Sequence, residues 1–460
     1  MKLIKFLCAV WLLPGLAACA SIYDPVPQSI ERLPQLSAII ESRTEQTDAD
    51  TPVSPNDVTD ASAEVVVLPD PHTAQLWALG NSPAIREIIA ELEIADADYW
   101  QQTLLRNPGF ELGLMQPESG GRWRLTAGIN LSIIDLLSRA RRTDLTEAEH
   151  FLWQQQALVR LNEYMTNVRH DWLRAVADSQ KELIFQTIED ASSVAADMAR
   201  LLLQAGNISE LDKLAHESAA ARQQINLRNA RIQTTRSMNQ LRTTLGLNPD
   251  LRLALPSQLP DWQASQDTPS ADEYLAMAEQ YQPALQLIQR QLQRQTASLA
   301  EIEQRVTLMR SGLTLETERE SDGQHYQGLS LSLAAPLFDR GQAELGAERA
   351  QTGALQAQAS QVRLATYNQI DSALQQQSLA RQTLQQLQEE DLPRHELMLN
   401  LALREYNFML SGSFDLLRIR EQSLQSRLAY VDTLASFWRA RADLSSATGT
   451  ELLIQESVND

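Results

Sequence analysis

From Trp123 to Ile133 apolar and polar side chains alternate without a break. Trp123, Leu125, Ala127, Ile129, Leu131 and Ile133 fall on one face, and Arg124, Thr126, Gly128, Asn130 and Ser132 on the other. A period of two is that of a β-strand with one oily face. Just upstream, Phe110, Leu112 and Leu114 oppose Glu111 and Gly113, and Pro117-Glu118-Ser119-Gly120-Gly121 supplies a turn. The pattern predicts a hairpin with strands over about 109–116 and 122–133. It returns 200 residues later, where Ile129-Asn130-Leu131-Ser132-Ile133 reads against Leu329-Ser330-Leu331-Ser332-Leu333. There Leu313 and Leu315 oppose Thr314 and Glu316, Asp322-Gly323 forms the turn, and the strands cover about 311–318 and 324–333.

Beyond each hairpin the period changes. Phe151, Leu158, Leu161, Met165, Val168, Trp172 and Ala175 follow heptad spacing, the seam of a helix that expects a partner. No proline occurs between Pro117 and Pro249, so one helix can run from about Leu137 to Gln204. At ~1.5 Å per residue it would be a rod of about 100 Å. The second half carries a thinner stripe, Tyr367, Ile370, Leu374, Leu384 and Leu387, and Pro393 predicts a kink or the end of a segment. Helices over about 73–106 and 271–309, interrupted at Pro83 and Pro283, precede the hairpins. The chain therefore reads as two helix–strand–strand–helix repeats, 73–250 and 271–450, with a linker at 251–270 and a tail at 451–460.

Strands of about ten residues with one oily and one polar face suit a membrane wall around a wet lumen. Four strands cannot close a barrel, and open sheet edges are not stable in lipid. Subunits must be pooled: a dimer gives eight strands and a trimer twelve, and only the larger leaves an obvious water-filled passage.

Composition fits long helices. The 460 residues include 17 Gly, 18 Pro, two Cys and few aromatics, and carry a formal charge of −20 that argues against nucleic acid. Lys2 and Lys5, an apolar run from Phe6 to Leu13, and Leu16-Ala17-Ala18-Cys19 read as an export signal over 1–18. Cys19 then resembles the acylated cysteine of a bacterial lipoprotein, and Ala20 after it favours the outer membrane. Cleavage before Cys19 takes the charge from −20 to −22, because two lysines and no acid are lost. From 19 to 72 seven prolines among acids and small polar residues predict an extended tether. No two of the six histidines lie within four residues of one another, and no phosphate loop or GxSxG motif occurs. No enzyme chemistry, cofactor or metal site is expected.

This order of elements resembles the outer membrane factor family, the TolC-like channels of tripartite efflux and type I secretion. The resemblance spans about Thr73 to Gly449. It rests on Asn107-Pro108 before the first strand, Ala335-Pro336-Leu337-Phe338-Asp339-Arg340-Gly341 after the last, and Leu245-Gly246 and Thr448-Gly449 at the repeat ends. It implies a trimer: a helical barrel in the periplasm continued by a shared twelve-stranded β-barrel, lipid-facing at Leu125, Ile129, Leu131, Leu329, Leu331 and Leu333. It also implies a periplasmic adaptor and an inner membrane pump, here of the RND type, as partners. By the same resemblance Gly206, Asn207, Glu210 and Asp212 of the first repeat, and Tyr406, Gly412, Asp415 and Arg418 of the second, lie at a closed periplasmic tip. A ring of Asp212 and Asp415 would favour cations there; capping of the following helix is an equal reading of both acids. Leu203 stands where the pattern has its first Tyr, and Gly412 is displaced towards Asp415. The expected function is a passive exit duct for small molecules or ions. The alternatives are a protein-secretion duct and a lipid-anchored coiled-coil spacer.

Overall fold

The computed structural model describes residues 65–104, 107, 109–116, 123–132, 139–248, 250–264, 269–307, 310–319, 324–334, 338 and 341–450. The signal segment, Cys19, the hairpin turns, most of the 335–341 motif and the tail lie outside these residues.

The first repeat opens with α1 (Pro71–Asn81) and α2 (Pro83–Thr103). Asp70 caps α1 by accepting from the Thr73 N–H at 2.8 Å, so the helix starts two residues earlier than expected. Ser82, held extended (ψ 133°) because it precedes Pro83, separates the two helices and caps the second. Strands β2 (Gly109–Met115) and β3 (Arg124–Ser132) follow, then α3 (Arg139–Gln204) and α4 (Glu210–Leu245). The second repeat comprises α5 (Ala271–Tyr281), α6 (Pro283–Thr307), β5 (Arg310–Arg319), β6 (His325–Ala334), α7 (Gln342–Gln386), α8 (Leu392–Asn407) and α9 (Ser413–Thr448).

Helix α3 has 66 residues, about 100 Å. Its heptad residues from Leu158 to Ala175 are buried and Phe151 is half-buried beneath the Arg290 guanidinium. Gln342 to Asn407 has the same length but is interrupted by a π-helical turn, Leu387–Asp391. Pro393 is the cause: it cannot donate to the Glu389 carbonyl, and the Leu392 N–H reaches back five residues to Leu387 O instead.

Two strands were not legible. Val65–Val67 (β1) pairs in parallel with Arg252–Ala254 (β4), so the end of the expected tether and the start of the expected linker form a small sheet. This sheet lies over the main core, midway along α3. Leu68 and Trp172 are almost fully buried and the Trp172 indole donates to Leu68 O at 3.1 Å. The linker continues through Trp262–Ala264, whose Trp262 donates to Gln388 in the π turn at 3.0 Å. Leu241, Leu245, Leu384, Leu434 and Phe437 complete this core and tie both repeats together.

Candidate functional site

The four long strands form one antiparallel sheet in the order β2-β3-β5-β6. Register carries the site. Phe110, Ile129, Leu315 and Leu329 lie in one row across all four strands. In the next row towards the hairpin turns stand Leu112, Ala127, Thr317 and Gln327, and beyond them Leu114, Leu125, Arg319 and His325. Away from the turns the row is Leu131, Leu313 and Leu331. One face of the sheet is thus largely apolar and it is not covered: Phe110 is 71 % exposed, Leu112 72 % and Leu329 63 %. Leu131, Leu331 and Leu333 hold matching register positions, and their side chains are outside the described set.

The opposite face carries Glu111, Thr126, Thr314, Glu316, Glu318 and Ser330, with Glu318 ion-paired to Arg124. Every carboxylate of the described strands lies there. Among the described residues the outer edges of β2 and β6 pair with nothing.

The apolar band is oblique. It starts at Leu114 on β2 and only two rows lower, at Leu329, on β6. Two rows are four residues, about 13 Å along the strand, and three steps between strands are about 14 Å. The band therefore crosses the strands so that a horizontal apolar belt requires them to tilt by about 40°.

At the far end of the helices each repeat turns back. Gly206 takes the left-handed conformation (φ 75°), its N–H bonding to Leu203 O at 2.9 Å. Ser209 then caps α4 in a capping box with Asp212: the Ser209 hydroxyl and N–H donate to the Asp212 carboxylate at 2.7 and 3.1 Å, and the Asp212 N–H donates to Ser209 Oγ. Those bonds to Ser209 hold the Asp212 carboxyl below the usual range. The box is in place at neutral pH and its contribution falls away as the pH drops through that lowered value. Asp212 therefore has the capping role; the ring role is a matter for assembly.

In the second repeat Gly412 does not make the turn. It is extended (φ −81°, ψ 158°) at the cap of α9, where Ser209 stands in the first repeat. Met409 (φ 59°) takes the place of Gly206, with its N–H bonding to Tyr406 O at 2.9 Å. An offset of 203, which also relates Gly246 to Gly449 and Asp212 to Asp415, places Met409 opposite Gly206. That was the available signal for a residue sequence reasoning missed. Asp415 lies 3.7 Å from Arg418, on the surface. Asn207 and Glu210 flank the first turn, where Glu210 pairs with Lys213 at 3.0 Å. The tips also meet: the His216 ring stacks on Phe414 with centroids 3.9 Å apart.

Met409 is 93 % exposed, so its side chain gives little in return for a left-handed backbone that costs an L-residue roughly 1–2 kcal/mol. Met409→Gly should stabilise the tip by about 0.5–1 kcal/mol, after the entropy glycine loses on folding. Slower hydrogen exchange at Met409 and Leu410 would register it; faster exchange would contradict it.

Among the described residues no His, Cys, Asp or Glu group is arranged to hold a metal, and no helix is long and apolar enough to cross a membrane. The exposed apolar sheet is instead the surface that calls for a partner phase.

No protein-family model and no curated protein sequence matches the chain. Solved structures do. A membrane protein from Pseudomonas aeruginosa superimposes with a TM-score of 0.69 at 17 % identity, covering 85 % of this chain and 95 % of that one. The open state of the MtrE outer membrane channel of Neisseria gonorrhoeae gives 0.68 at 16 %, with 86 % and 94 % covered. The CmeC outer membrane channel of Campylobacter jejuni gives 0.69 at 13 %, with 82 % and 85 % covered. The chain has the fold of these channel proteins.

Proposed function

We propose that the protein is the outer membrane duct of a tripartite efflux system, a passive channel through which an inner membrane pump expels small molecules or ions. The observation that carries this reading is the oblique, uncovered apolar band on a sheet with two open edges. Strands of membrane barrels tilt by about 35–45°, and the tilt that levels this band is about 40°. Open edges cannot remain in lipid, so three copies closing β2 against β6 of the neighbour give a twelve-stranded wall with Glu111, Glu316 and Glu318 facing its lumen. An acid-rich lumen favours cations over anions.

The helices continue the duct into the periplasm, where the Gly206 and Met409 turns form the tip that meets an adaptor and, beneath it, a pump of the RND type. Cys19 anchors each chain by lipid in the same membrane. As a passive duct it consumes no energy itself, and the driving force belongs to the pump.

Purified full-length protein in a planar bilayer tests the reading. A trimer with stable, cation-favouring conductance is expected; a monomer without conductance would sink it. Crosslinking from cysteines at Gly206 and Gly412 in cells would then identify the pump. Capture of an ATP-driven protein exporter instead of an efflux pump would move the protein to secretion.

A further inference from the structure

The apolar face holds a groove of about 630 Å³ running across the strands. Phe110, Ile129, Leu315 and Leu329 form one wall and Leu112 begins the other, floored by the backbone of the row between them. On the second hairpin the other wall turns polar, at Thr317 and Gln327. One row further towards the turn, Arg319 and His325 are direct cross-strand partners on the same face, both exposed. Such partners place their Cβ atoms about 5 Å apart.

Charge on this sheet is segregated. The described strand carboxylates, Glu111, Glu316 and Glu318, all lie on the opposite face, and Arg319 makes no ion pair with a described residue. Arg319 is nevertheless next to Leu125 in its row, at the margin of the oily band. An arginine there keeps its stem on apolar surface and turns its head outward, where a guanidinium best meets a phosphate through paired hydrogen bonds. An apolar groove, then two uncharged hydrogen-bonding side chains, then an arginine beside a histidine is the order of parts in an amphiphile: acyl chain, sugar, phosphate.

We propose that this surface is a binding site for a phosphorylated glycolipid of the outer leaflet, one per chain, with its acyl chains in the groove and its phosphate on Arg319 and His325. The assignment rests on the reading of the sheet as a membrane wall. Thr317, whose hydroxyl already donates to Tyr326 O at 3.3 Å, accepts from the sugar and Gln327 bonds it alongside, and the site fixes the height of the second hairpin in the bilayer.

The test uses full-length protein, wild type and Arg319→Gln/His325→Gln, in vesicles of phosphatidylethanolamine with a bisphosphorylated diglucosamine lipid or its dephosphorylated form. Insertion and trimer mass are measured first, then lipid retained after mild detergent extraction, by native mass spectrometry. Both proteins are expected to insert and assemble alike. Wild type should retain about one phosphorylated glycolipid per chain, and at least tenfold less should remain with the double variant or with the dephosphorylated lipid. Arg319→Lys, which keeps the charge, should retain most of it. Equal retention by wild type and double variant, or equal retention of the two lipids, overturns the proposal while leaving the membrane wall intact. Displacement of the lipid by millimolar inorganic phosphate overturns the lipid assignment in favour of a free-anion site. Failure of the wild type to insert refutes the membrane wall itself, and the site with it.

Discussion

Arginine at both Ile129 and Leu329 is expected to abolish membrane insertion and trimer formation. The two residues share a row that is apolar on all four strands, Phe110-Ile129-Leu315-Leu329, which places them near the middle of the band. A lipid-facing arginine at that depth costs about 2–4 kcal/mol, and a trimer would carry six of them. The surrounding protein shields neither site from lipid: Ile129 is 41 % exposed and Leu329 63 %. Ser330→Arg is the control, one residue along the same strand but on the opposite face. It should insert and assemble normally and lower the preference of the conductance for cations. Flotation with vesicles and trimer mass read the outcome. Equal behaviour of the Ile129/Leu329 and Ser330 variants would remove the case for a membrane wall.

The rod, the hairpins and their apolar faces were legible because each is a period in the sequence, heptad along α3 and alternate residues along β2, β3, β5 and β6. The register between hairpins was not. It depends on how β3 meets β5, a long-range pairing, and without it the oblique band and the Arg319–His325 pair are invisible. The tip shows a different limit. A glycine search points to Gly412, yet Met409 bends the chain, because the hydrogen bonds of the helix end fix the turn and force the residue there to comply. The β1–β4 pairing was hidden for a third reason. Three valines beside prolines and acids read as tether, and only the core around Trp172 gives them something to cover.

Gly449→Ala should be the most damaging single change in the helical part. Gly449 ends α9 in the left-handed region (φ 76°), and a Cβ there would lie 2.3 Å from Tyr281 O and 2.7 Å from Tyr281 C. Both atoms are backbone, at the break between α5 and α6 that Pro283 enforces, so neither can swing aside. Gly246 repeats the arrangement against the Ser82-Pro83 break, where a Cβ would be 2.5 Å from Pro83 Cδ. Each repeat thus clamps the end of its last long helix onto the proline joint ahead of its own strands, which fixes the long helices relative to the sheet. Gly206 separates the two costs: its φ is also 75°, but nothing lies within 4 Å of its would-be Cβ. Gly206→Ala should cost the torsion alone, about 1 kcal/mol. Gly449→Ala and Gly246→Ala add a backbone or ring displacement of about 1–3 kcal/mol. Denaturant midpoints followed by helical circular dichroism should therefore rank Gly206→Ala well above the other two. A Gly449→Ala protein as stable as Gly206→Ala would mean that the helix end does not bear on the joint, and that the helices and the sheet are positioned by the buried cluster around Trp172 instead.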